Sequence, residues 1–61
     1  MHDHTVEKIY RVEMGHCSTQ VTSDSEDGAI AKARDHFMRE LPRLWDVISQ
    51  LDPAKFRVRM L

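Results

Sequence analysis

Cysteine occurs once in this chain of 61 residues, glycine and proline twice each, and the charges balance to −1. Each scarcity excludes a class of function. A single cysteine, Cys17, closes no disulfide within the chain and supplies no multi-cysteine zinc site, so a reducing compartment, the cytoplasm, is the expected location. With only two glycines there is neither a phosphate-cradling loop nor a dinucleotide fingerprint. No apolar run approaches the ~20 residues needed to cross a bilayer. None follows the polar start His2-Asp3-His4 as a secretory leader requires, and no membrane association is expected. Nine basic side chains against ten acidic ones create no overall field toward nucleic acid, so any such binding needs a local patch.

What is present suits one small folded domain, residues 1–61. Hydrophobic residues make up 41% and charged residues 31% of the chain, ordinary values for a globular protein. A chain this short buries only about 60% of its unfolded surface. Nearly every large apolar residue is then needed for the core, and none is left to wall a substrate cleft. No enzymatic activity, small-molecule substrate or cofactor is expected. There is no internal repeat or linker, and residues 1–4 read as a frayed tail.

Two periodicities set the architecture. Residues 5–14 alternate, with Val6, Tyr10, Val12 and Met14 on one face and Glu7, Ile9, Arg11 and Glu13 on the other; Lys8 interrupts the apolar side. Residues 17–23 alternate more weakly, with Cys17, Thr19 and Val21 set against Ser18, Gln20 and Thr22. Between them Gly15-His16 suits a two-residue type II′ turn, because its first position needs positive φ. That turn fixes the register: Met14 opposite Cys17, Val12 opposite Thr19, Tyr10 opposite Val21.

The segment SDSEDGAIAKARDHFMREL then begins a helix. Ser23 with Glu26 forms a capping box, Asp24 with Asp27 a near equivalent, and the acidic first turn suits the helix dipole. Ile30, Ala33, Phe37 and Leu41 form the apolar stripe, with Lys32, Asp35 and Arg39 opposite. Pro42 kinks the helix or stops and restarts it. The second piece spreads Leu44, Trp45, Val47, Ile48 and Leu51 across about 160°, wider than the ~100° needed to cover a sheet. Asp52-Pro53 ends it. KFRVRML alternates again, Phe56, Val58 and Met60 against Lys55, Arg57, Arg59 and Leu61. The expected fold is α+β (β-β-α-β), a small, mainly antiparallel three-stranded sheet covered on one face by a helix kinked or broken near Pro42. A kinked helix returns the third strand antiparallel to the first, whereas full reversal permits a parallel crossover.

Few residues invite chemistry. His16 and Cys17 are adjacent, but neighbours leaving a turn into a strand point to opposite faces, and no further base or carboxylate accompanies them, so no catalytic residue is assigned. Cys17 reads as a small core-facing residue and His16 as turn decoration. His2 and His4 share a face only if extended, a spacing with no specific metal signature, and His36 has no histidine partner at i+4; no metal site is assigned. The serines and threonines are explained by strand propensity and capping.

Two surfaces remain for a partner. Trp45, Val47, Ile48 and Leu51 form a broad apolar face, and a small sheet leaves edges that another chain can extend. The leading expectation is a protein-interaction domain, a regulator, adaptor or accessory subunit, binding a protein partner or a second copy of itself. The alternative is nucleic-acid binding on the sheet face away from the helix, through Arg11, Lys55, Arg57 and Arg59 beside Ser18, Gln20 and Thr22. Cross-strand ion pairs from Glu7 and Glu13 to Arg57 and Arg59 would be the simpler explanation of those charges.

Overall fold

A computed structural model describes residues 7–61. The frayed-tail reading of residues 1–4, the histidines His2 and His4, and the strand start at Thr5 and Val6 fall outside them. Strand β1 (Lys8–Met14) and strand β2 (Cys17–Ser23) form the hairpin, helix α1 (Glu26–Glu40) follows, and a 3₁₀ turn at Pro42–Leu44 leads into helix α2 (Trp45–Gln50). A second 3₁₀ turn, Pro53–Lys55, precedes strand β3 (Arg57–Met60). The sheet order is β2-β1-β3, and both pairings are antiparallel.

The hairpin follows from its turn. Gly15 has φ +60°, and no other described residue has positive φ, so His16 keeps the negative φ that separates type II′ from type I′. Met14 pairs with Cys17, Val12 with Thr19 and Tyr10 with Val21, as the alternation requires. On the opposite side β1 meets β3 through Tyr10–Met60, Arg11–Arg59, Val12–Val58 and Glu13–Arg57.

One expectation about the helix start is corrected. Ser23 is the last residue of β2, paired with Lys8 and buried, so it cannot cap α1. The N-cap is Ser25, whose Oγ accepts from the Gly28 amide at 3.1 Å, while Ser23 Oγ accepts from the Ser25 amide at 3.3 Å. The two hydroxyls satisfy the amides of Ser25 and Gly28 where the strand gives way to the helix.

The core lies between sheet and helices. Tyr10 and Val12 meet Ala29, Ala33 and Phe37 of α1, Ile48 of α2 and Phe56 at the entry to β3. Met60 faces the same side as Tyr10 but remains 55% exposed at the free end of the edge strand, short of the core expected for it. At Pro42 the helix stops and restarts. Leu41 caps α1 by donating to Phe37 O, and Pro42, with no amide to donate, opens the next turn. α2 turns back beside α1 far enough for the Arg34 guanidinium to reach its C-terminal carbonyls. β3 nevertheless runs antiparallel to β1, with residues 51–56 carrying the chain to the hairpin end of the sheet, where Arg57 meets Glu13.

Candidate functional site

The helical surface around α2 is divided. Ile48 is 1% exposed and belongs to the core, so it leaves the contact surface expected for it. Leu51 is half-buried and packs against the core. Trp45 and Val47, by contrast, stay 59% and 57% exposed, and Leu44 on the preceding turn 45%. The cause is angular. At 100° per residue Trp45 lies about 60° to one side of Ile48 and Val47 about 100° to the other, so seating Ile48 in the core leaves both flanks in water. Trp45 is therefore not part of the core.

Arg34 holds this arrangement in place. Its guanidinium donates to Ile48 O at 3.2 Å, Ser49 O at 2.7 Å and Leu51 O at 2.9 Å, and stacks 5.2 Å from the centre of the Phe56 ring. The Ile48 carbonyl also accepts from the Leu51 amide at 3.2 Å, while the Ser49 and Leu51 carbonyls lie at the helix end, where acceptors run out of intrahelical donors. Sequence reasoning missed this residue. At 100° from Ala33 it sits on the flank of the stripe, and the position of α2 is what gives it a task.

The open sheet face carries the charges. Across the three strands run Gln20–Arg11–Arg59 and, one step nearer the hairpin turn, Ser18–Glu13–Arg57. Toward the other end Thr22 is paired with Ile9, whose carbonyl accepts from the Leu61 amide. Lys55 is absent from the grid because the Pro53–Lys55 turn takes it out of the strand. The basic patch is therefore three arginines rather than the four basic residues expected. Arg11 Nε lies 3.6 Å from Glu13 Oε2, and among the described residues neither Arg57 nor Arg59 forms an ion pair. The cross-strand pairing expected to quiet these arginines is thus missing, and Glu13 serves its own strand neighbour. A shallow concavity of ≈ 230 Å³ is lined by Arg11, Glu13, Arg57, Val58 and Arg59. No aromatic side chain faces it among the described residues, since Tyr10, Phe37 and Phe56 are buried and Trp45 lies on α2.

The remaining candidates are placed simply. Cys17 is half-buried against the core opposite Met14, His16 is exposed in the turn, and His36 meets the Phe37 ring edge-on at 5.8 Å between centroids. Among the described residues no three His, Cys, Asp or Glu side chains are grouped closely enough to hold a metal ion. No helix there is long and apolar enough to cross a membrane.

The described residues thus define an α+β domain of three antiparallel strands and two helices, with apolar side chains exposed on one layer and arginines on the other. The chain matches no protein-family model, no curated protein and no solved structure.

Proposed function

We propose that this chain is a small non-enzymatic interaction domain, a regulator, adaptor or accessory subunit, and that it docks a protein partner or a second copy through the surface around Trp45. The supporting observation is the indole itself. Trp45 is 59% exposed, while two alanines, Ala29 and Ala33, occupy fully buried core positions. Core packing alone favours the reverse, because the largest apolar side chain gains most from leaving water. Leu44, next to it in the chain, is 45% exposed as well, and exposed tryptophan is among the commonest energetic anchors of protein interfaces.

Trp45 is the only tryptophan, so its fluorescence reports on its own surface. Association is expected to shift its emission to the blue. Trp45→Ala should weaken binding by about 2 kcal/mol, roughly thirtyfold, as for an interface anchor. The thermal midpoint of the monomer should barely change, because the indole is outside the core. Light scattering that shows a monomer at millimolar concentration with unshifted emission, together with identical pull-downs by wild type and Trp45→Ala, would reject the reading.

A second reading, nucleic-acid binding on the open face, is favoured by one observation. Arg11 and Arg59 stand directly opposite each other with only Glu13 to offset them. The lack of a facing aromatic side chain removes base stacking from that reading and leaves backbone contact.

A further inference from the structure

We infer that the open sheet face is a binding site for a phosphate group, held between Arg11, Arg57 and Arg59. The site is independent of the contact surface on α2, which lies on the other layer.

The register supplies the first reason. Arg11 and Arg59 are direct cross-strand partners, and Arg57, two residues along β3, is diagonal to Arg11. Like charges directly opposite one another destabilise a sheet. A small domain has little stability to spare for such a pair. Exchanging partners would cure it, yet Glu13, opposite Arg57, reaches Arg11 on its own strand.

The second reason is charge and shape. Three guanidinium groups against one carboxylate leave a local excess of two positive charges beside a concavity of ≈ 230 Å³. A phosphate group carries about −1.5 to −2 at neutral pH and presents several strong acceptor oxygens. A carboxylate satisfies one guanidinium fork, whereas a tetrahedral anion can accept from several forks that approach from two strands. Gln20, exposed beside Arg11, adds a neutral amide donor to the same row. With no aromatic facing the site, recognition stops at the phosphate and reads neither base nor ring. A small phosphate ester and a nucleic-acid backbone offer the same chemistry.

The test uses the full chain and the arginine Nε–H signals in NMR. Inorganic pyrophosphate and a short oligothymidylate are titrated separately, each against sodium chloride at matched ionic strength. Saturable shifts at Arg11, Arg57 and Arg59, with Arg39 and Arg43 still, are the expected result. Arg59→Gln should weaken binding about tenfold, as for the loss of one charge-assisted contact. In phosphate-free buffer the same variant should melt higher than wild type, because it relieves the Arg11–Arg59 opposition; a merely structural Arg59 would not do this. Tighter binding of pyrophosphate assigns the site to small esters, and tighter, steeply salt-dependent binding of the oligonucleotide assigns it to a backbone. No saturable shift at tens of millimolar pyrophosphate, equal shifts at Arg39 and Arg43, or wild-type affinity in Arg59→Gln would each overturn the inference.

Discussion

Gly28 occupies the third position of α1, where alanine ordinarily stabilises a helix by about 1 kcal/mol over glycine. Here a methyl group would lie 2.3 Å from Ser23 Oγ and 3.3 Å from Ser25 Oγ. Ser23 is buried, and turning its hydroxyl away removes the acceptor of the Ser25 amide. Gly28→Ala should therefore destabilise by about 1 to 2 kcal/mol, the size of a local overpacking strain or a lost buried hydrogen bond. In a Ser23→Ala background the same change should become neutral or stabilising, and urea denaturation of the four proteins yields the coupling directly. Additive effects would show that the serine hydroxyl is not what reserves the position for glycine. The sequence displays serines and acids from Ser23 to Asp27 that all suit a cap. It does not display how far β2 extends, and that length moves the cap from Ser23 to Ser25.

The elements themselves were largely legible. The Gly15-His16 turn and the period-two alternation each demand one register, and Pro42 marks the break because its ring and missing amide cannot continue α1. Less legible was how much of the apolar arc on α2 would be buried, since an arc shows capacity and the neighbouring elements determine its use. Arg34 is the element-scale determinant that no local pattern revealed. It ties the last carbonyls of α2 to the middle of α1 and covers Phe56. Arg34→Ala should cost about 2 kcal/mol, allowing for its partial exposure, as expected for hydrogen bonds from a charged donor. Arg34→Lys should recover only part of this, because an ammonium lacks the planar fork that spans several carbonyls. Chemical denaturation followed by Trp45 emission and by far-ultraviolet circular dichroism checks both values. Full stability in Arg34→Lys would mean that charge alone, and not the fork, anchors α2.

At the scale of the whole molecule, the two candidate surfaces lie on different layers and draw on different forces. This separation was only half visible beforehand. Alternation marks the arginine face and the helical arc marks the apolar one, but Lys55 leaves the first and Ile48 the second because a turn and the core claim them. A contact through the surface around Trp45 is driven by burial of apolar area, which added salt leaves intact or strengthens. Capture of a phosphate group by Arg11, Arg57 and Arg59 is electrostatic at an exposed face. Raising ionic strength from about 0.01 M to 0.1 M shortens the screening length from about 30 Å to 10 Å and should weaken it severalfold. Salt should therefore separate the two activities: pyrophosphate affinity should fall across that range while association reported by Trp45 emission holds or rises. Saturating pyrophosphate at constant ionic strength should likewise leave the emission unchanged. If association instead collapses with salt in parallel with pyrophosphate binding, the arginine face and not α2 is the contact surface, and Arg59→Gln should abolish both.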